Sequence, residues 1–397
     1  MNQEKDSAGG QVNIMIFVAM LLNGIGFSII MPVLPYYAES FGASAFQVGM
    51  LMTVYALCQF IFAPIWGVYS DKVGRKPVLL FGLLGFALTF IWFGLATDLW
   101  MLFGARILGG AFSCATMPVA MAYVGDTTSP EKRGASMGMV GASMGVGMIF
   151  GPAIGGFLSQ ISLAFPFLAS GALAFLNAIG VFFFVDESLP PEKRSTSVEV
   201  SRAPMLDGLR STLALLFVVT FLASIAESTN HGIFALFVEA KLGLKAWQIG
   251  WAFTTAGIVS VVVQGFLLGR IIKRIGEERT ALIGIFLAGL SFLLFLQVAN
   301  LNQAVIVMAV FAGGVGLIRP SVSSAISKKT SLQQGTAMGT MQGFDSLGRV
   351  VGPATGGFLL DQQLNLGYLF AFTVSALGFL TMLTYYLKHR GSAEQTG

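Results

Sequence analysis

Six ionisable side chains lie inside long apolar runs of this chain: Arg106, Glu227, His231, Arg319, Asp345 and Arg349. Each costs at least about 2.5–3.5 kcal/mol at the centre of a membrane helix, so chemistry is the default explanation for its presence. Glu227 and His231 are one helical turn apart and face the same way. A histidine whose ordinary pKa is about 6.5, beside a carboxylate raised by desolvation, suits the loading and unloading of a proton near neutral pH. The plainer alternative is a satisfied polar pair near the outer end of the helix. Asp345 and Arg349 also stand one turn apart, and a buried pair that neutralises itself is as readily structural as coupling. Arg106 and Arg319 have no acid within a turn; Arg319 could hold an anionic group of a bound solute or neutralise Asp345.

The elements that carry these groups follow from composition. The 397 residues are 55% hydrophobic and 11% charged, against about 25% charged in a soluble domain. A hydrocarbon core of about 30 Å takes some 20 apolar residues at about 1.5 Å each. About twelve such stretches occur, near 14–37, 46–69, 78–97, 100–124, 134–160, 164–186, 211–239, 246–272, 279–299, 303–327, 333–362 and 366–388. The expectation is an all-α membrane protein of 12 transmembrane helices. Met1 to Gln11 is polar and the first apolar stretch is full-length, so it reads as a retained span rather than a cleaved leader.

The net charge of +4 reads as topology rather than nucleic-acid binding. Lys72, Arg75, Lys76, Lys132, Arg133, Arg270, Lys273, Arg274, Arg279, Lys328 and Lys329 fall on one side with the linker cations Lys193, Arg194, Arg202 and Arg210 and the tail cations Lys388 and Arg390. The opposite loops hold only Lys241 and Lys245, which places both termini in the cytoplasm. Cys58 and Cys114 have no second Cys or His at ligand spacing, so neither a disulfide nor a metal is expected.

The string G-x8-G-x3-G-P-x2-G-G occurs twice, at Gly138, Gly147, Gly151, Pro152, Gly155, Gly156 and at Gly339, Gly348, Gly352, Pro353, Gly356, Gly357. Gly67, Gly74 and Gly134 recur as Gly269, Gly276 and Gly335. The chain is therefore a duplication: an N-terminal six-helix bundle over 1–186, a cytoplasmic linker over 187–210 broken by Pro190, Pro191 and Pro204, and a C-terminal six-helix bundle over 211–397. In the fifth span Gly147, Gly151 and Gly155 form one small-residue stripe, and Gly134, Gly138, Gly141 and Gly145 a second on the opposite side. Close neighbours are expected on both faces, with a bend or soft point at Pro152.

Here the chain resembles a known family. Gly67-Val-Tyr-Ser-Asp71-Lys-Val-Gly74-Arg75-Lys76 is similar to the major facilitator signature G-x-x-x-D-x-x-G-R-[RK], and Arg106-x-x-Gly109-Gly110 to that superfamily's fourth-helix motif. The fifth-span string resembles the motif of its drug/proton antiporters. Gly24-Ile-Gly26, Met31-Pro-Val-Leu-Pro35, Gln59-x4-Pro64, Ile233-Phe-Ala-Leu-Phe237 and Arg319-Pro320 resemble the NorA, Bmr and Blt group of bacterial multidrug exporters, with tetracycline/proton antiporters next. The resemblance implies two pseudo-symmetric six-helix bundles and a conformational latch of Gly67, Asp71, Gly74, Arg75 and Asp126. The second half has Lys273 where the first has Asp71, so the latch should be one-sided. By the same resemblance Arg106 joins Glu227, His231, Asp345 and Arg349 in proton coupling. The cavity wall should be drawn from Asn23, Phe27, Tyr55, Gln59, Met117, Asn230, Phe234, Gln264, Arg319, Gln342 and Phe344.

Departures from that pattern carry information. The family's seventh-helix glutamate falls on His231, its tenth-helix acid on Gly316, and the first-helix aspartate of tetracycline antiporters on Asn23. Fewer acids and extra arginines should favour neutral, zwitterionic or anionic compounds over lipophilic dications. The implied activity is efflux in the bacterial cytoplasmic membrane: protons exchanged for amphiphilic small molecules by alternating access, without a cofactor, by a monomer in a lipid bilayer with no nucleic-acid partner. Export of one dedicated solute is the alternative. A sensor has no soluble domain to support it, and an enzyme no recurring set of nucleophile, base and orienting group.

Overall fold

The computed structural model describes residues 2–194, 213–330 and 334–394. Among them the regular structure is helical: α1 (Asn2–Ile29), α2 (Leu34–Glu39), α3 (Ala45–Val73), α4 (Arg75–Gly94), α5 (Leu99–Ser113), α6 (Thr116–Thr127), α7 (Pro130–Leu158) and α8 (Phe165–Phe184), then a 3-10 turn Pro191–Lys193. They continue with α9 (Ala214–Leu242), α10 (Ala246–Val262), a π turn Val263–Leu267, α11 (Leu268–Ile275), α12 (Glu277–Phe295), α13 (Leu301–Lys329), α14 (Gln334–Gln362) and α15 (Leu366–Glu394). The linker residues 195–212, with Arg202 and Arg210, lie outside the described residues.

Three expected spans are interrupted, two for a reason visible in the sequence. Pro32 and Pro35 bracket the change from α1 to α2, where ring geometry and missing N–H groups stop a continuous ladder. Pro118 cannot donate to the carbonyl of Cys114, four residues earlier, and the chain breaks there between α5 and α6. The third is the π turn between α10 and α11, which has no proline to mark it. By contrast α7 continues through Pro152 unbroken.

Ten described helices are long and apolar enough to cross a membrane, counting Leu99–Thr127 and Ala246–Ile275 as single spans. The apolar run Ile14–Ile29 is shorter, and the 29-residue α14 is diluted by Asp345, Arg349 and Asp361. A multi-pass membrane protein results.

The chain divides into two compact units, Met1–Gly42 with Val54–Ser201, and Ala43–Thr53 with Arg202–Gly397. In the first, α1 packs on α7 and α8, while α4 packs on α5, α6 and α8. Ile16, Met20, Leu79, Leu83, Val119 and Tyr123 form its buried centre. The second repeats the scheme: α9 packs on α14 and α15, and α12 on α13 and α15. Gly74 and Gly276, at matched positions 202 apart, precede α4 and α12 with φ of 116° and 83°. Only glycine takes that backbone without strain, which explains why the duplication keeps both.

Candidate functional site

The glycine strings set how closely the helices of each unit approach. A Cβ placed on Gly147, Gly151 or Gly155 would come within 3.0 Å of α1, at Leu21 O, Ser28 Oγ and Ile29 O respectively. In the second unit Gly348 and Gly352 meet Ser224 and Ser228 of α9 in the same way. Small residues thus bring backbones together where lipid supplies no drive for helix association. The expected second stripe is a correction: among the described residues nothing lies within 4 Å of a Cβ on Gly134, Gly138, Gly141 or Gly145, and the close approach seen for α7 is along the Gly147 face. Gly156 is buried beside the packed stripe, and Gly339 is exposed.

The charged cluster of the second unit centres on Asp345. Its side chain is 4% exposed, and Oδ2 accepts from Arg319 at 3.1 Å and Arg349 at 3.2 Å. Ser224 Oγ donates to Oδ1 at 2.9 Å, and Gln342 bridges, accepting from Arg319 at 3.0 Å and donating to Oδ2 at 3.4 Å. The arrangement is a carboxylate saturated by donors and flanked by two guanidiniums, so it carries one excess positive charge. Arg319 does neutralise Asp345, as one of the two sequence alternatives had it.

Glu227 borders this cluster, lining a recess with Thr220, Ser224, Val315, Arg319 and Asp345. It makes no ion pair among the described residues, so the plainer alternative of a satisfied polar pair with His231 is not what the structure shows. His231 packs instead among rings, 6.3 Å from Phe253 and 6.4 Å from Phe311 between centroids. Phe311 lines a second recess that Glu227 also borders, so the two groups share a neighbourhood without a hydrogen bond.

In the first unit Arg106 is buried, and no acid pairs with it among the described residues. Its guanidinium lies 5.2 Å from the ring centres of both Tyr55 and Phe93, and Nε has no partner. Cation–π attraction is what stabilises the charge there. Tyr55 shares a hydrogen bond of 2.7 Å with Ser113 and tilts against Phe27 at 6.0 Å. Asn23 is buried with Oδ1 unpartnered, while Gln59 and Met117 are partly exposed.

Two wall candidates are corrected. Asn230 is fully buried, accepting from Tyr368 Oη at 3.2 Å, and Phe234 is fully buried between Phe253 and Phe295. Both hold the second unit together, because α9 is buried on nearly all sides at this level. Phe344 stacks on Phe217 at 5.9 Å. Gln264 is exposed on the π turn, a distortion that recurs at functional sites.

The loop before α4 makes a compact ionic network. Arg75 reaches Asp71 at 2.6 Å, Asp126 at 2.9 Å and Ser70 Oγ at 2.6 Å. Glu187, which sequence reasoning missed, caps α4 by accepting from the backbone N–H of Arg75 at 2.8 Å and Lys76 at 3.2 Å. A Cβ on Gly74 would collide with that carboxylate; Gly67 has open space around it. The second unit has its own pair, Glu277 with Lys328. Those residues stand 202 positions after Arg75 and Asp126, so the duplication keeps the bridge with its charges exchanged, where a one-sided network was expected.

A second missed acid is Asp361, near the end of α14. Its two oxygens accept from the backbone N–H groups of Ala45 and Phe46, each at 2.8 Å, at the start of α3. Thr53 Oγ1 donates to Val350 O at 2.7 Å, and Phe46 meets Phe358 edge-on at 6.0 Å. Residues 43–53 accordingly belong to the second unit. The signal available in sequence was the polar Asp361-Gln362-Gln363 end of that span.

Comparison with known proteins places this geometry. The family model described as Major Facilitator Superfamily matches residues 16–215 and again 216–397. Multidrug resistance protein 2 of Bacillus subtilis (strain 168) is 31% identical over 384 residues, covering 95% of each chain. Tetracycline resistance protein, class B, of Escherichia coli is 32% identical over 394 residues, covering 96% of this chain and 97% of the relative. Among solved structures, the nucleoside transporter NupG superposes with a TM-score of 0.78 at 13% identity, covering 95% of this chain and 98% of the other. The human organic anion transporter MFSD10 (TETRAN) gives 0.69 at 22%, covering 94% and 99%. With a doubled helical unit, a doubled glycine crossing and two matches that together span nearly its whole length, this chain belongs to the Major Facilitator Superfamily.

Proposed function

We propose that the chain is a secondary active exporter of the bacterial cytoplasmic membrane, exchanging protons for amphiphilic drug-like molecules by alternating access. In this reading it has twelve membrane-crossing segments with both termini in the cytoplasm, needs no cofactor and works as a monomer. The observation that carries it is Glu227: an acid inside a membrane span, without an ion pair, lining a recess with Arg319 and with Asp345, which Arg349 also pairs. Kinship to the multidrug and tetracycline resistance proteins supplies the class of cargo. Expression in a drug-hypersusceptible bacterium tests it: resistance to several unrelated amphiphiles, lost on adding a protonophore, is expected, and unchanged susceptibility to all of them would overturn it.

Alternating access needs groups that make and break at either end of the helices. The Arg75 network and the Asp361 clamp are suited to those roles. Arg75→Gln removes the shared partner of Asp71 and Asp126, and is expected to lower the initial transport rate roughly tenfold while leaving KM within about twofold. Asp361→Asn removes the carboxylate from two N–H groups at a helix start, an interaction of about 0.3–1 kcal/mol. A shift of that size changes a two-state population by about two- to fivefold. Labelling of a single cysteine placed beside Phe358, with a membrane-impermeant maleimide, should accelerate by that factor.

A further inference from the structure

The charge count around Asp345 identifies a class of cargo, given the exchange reading above. Arg319 and Arg349 share one carboxylate, yet their side chains remain 44% and 46% exposed while Asp345 is 4% exposed. Asp345 is saturated by Ser224, Gln342 and both arginines. Each guanidinium has five N–H donors in a planar fork that matches a carboxylate, and most of those donors are not used on Asp345. Glu227 is the remaining acid on this recess and it lacks an ion pair. With Glu227 ionised the group of four charges is neutral; with a proton on Glu227 it carries one positive charge. His231, one turn along α9, is enclosed by Phe253 and Phe311.

Exchange requires that proton and cargo exclude one another. A purely anionic cargo held by the arginines would bind better with Glu227 protonated, which couples the two in the wrong direction. A purely cationic cargo competes with the proton on Glu227 but leaves the two half-exposed guanidiniums unmet. A molecule carrying both an acid and a cationic centre satisfies the cluster and is expelled by protonation of Glu227. We infer that Arg319 and Arg349 form a receptor for the acidic group of zwitterionic amphiphiles, with Glu227 taking the cationic centre, and that permanent lipophilic cations are the poorer cargo.

Two dyes provide a matched test: rhodamine B, with a carboxylate and a cationic ring system, and its ethyl ester, which keeps the cation and lacks the acid. Fluorescence anisotropy on the detergent-purified protein should give a Kd for rhodamine B at least about tenfold below that of the ester. In Arg319→Gln the ratio should fall towards one, and Arg319→Lys should retain part of it. Arg349→Gln is read the same way if it remains monodisperse; Arg319→Gln decides if it does not. In proteoliposomes rhodamine B should move one more positive charge inward per turnover than the ester, so an inside-negative potential accelerates it more. Equal Kd values in the wild type, no saturable rhodamine B binding, or an equal loss for both dyes in Arg319→Gln overturns the acid receptor. An intact binding ratio with no gradient-driven movement of either dye would sink the exchange reading and leave the receptor standing.

Discussion

Glu227→Gln is expected to abolish accumulation driven by a pH gradient while leaving the protein folded. A gradient of one pH unit sustains about a tenfold concentration ratio for each proton exchanged. The amide holds no titratable proton, so in proteoliposomes the ratio should fall to one. Fold stability should change little, because Glu227 makes no ion pair whose loss strands a buried partner. Energy-independent counterflow of labelled against unlabelled compound should persist, since it needs the two access states and not the proton, but only at a raised KM. The amide gives up the charge that would hold a cationic centre of the cargo. Asp345→Asn gives the opposite signature. It leaves Arg319 and Arg349 without their shared counter-charge, and because both guanidiniums are nearly half exposed the loss falls below the roughly 3–5 kcal/mol of a fully buried pair. A fall in melting temperature and in yield should therefore precede any fall in coupling. Wild-type accumulation ratios in Glu227→Gln would remove this residue from the proton path.

The second large effect concerns the crossing of α7 on α1. Gly151→Leu places a branched side chain where even a Cβ lies within 3.0 Å of Ser28 Oγ, Ile25 O and Ile29 N. Backbone on a packed helix cannot withdraw as a flexible side chain does, so the cost should reach the upper part of the roughly 1–3 kcal/mol range of overpacked cores, or exceed it. No monodisperse protein is the expected outcome. Gly138→Leu, on the same helix, meets nothing within 4 Å, and should retain wild-type yield and melting temperature to within about 1 kcal/mol. Size-exclusion chromatography of the two variants side by side checks the assignment of one packed face. Equal tolerance of both substitutions would refute it.

Hydropathy, the doubled glycine string and the signature loop made the helical class and the superfamily legible in sequence. Periodicity also placed Asp345 beside Arg349. What escaped it depends on which neighbour covers a given face. Asn230 and Phe234 look like cavity residues on a helical wheel, but Tyr368 and Phe295 come from α15 and α12, far away in sequence. Likewise Gly138 and Gly151 are alike in sequence, and only the helix lying across Gly151 separates their roles. Asp361 and Glu187 act by capping helices 315 and 112 residues distant, a pairing that local spacing does not reveal. The exchanged pair Glu277–Lys328 was in reach. Carrying the 202-residue offset from the glycines to the charges would have found it.

Gradient-driven transport by the purified wild-type protein tests the central claim most directly. Reconstituted vesicles with an acidic interior should concentrate an amphiphilic dye as protons leave, reaching a ratio above one that collapses when nigericin dissipates the pH difference. Proton efflux reported by an internal pH dye should begin only on addition of the compound. Equilibration to a ratio of one, with or without the gradient and with no proton movement, would contradict proton-coupled exchange.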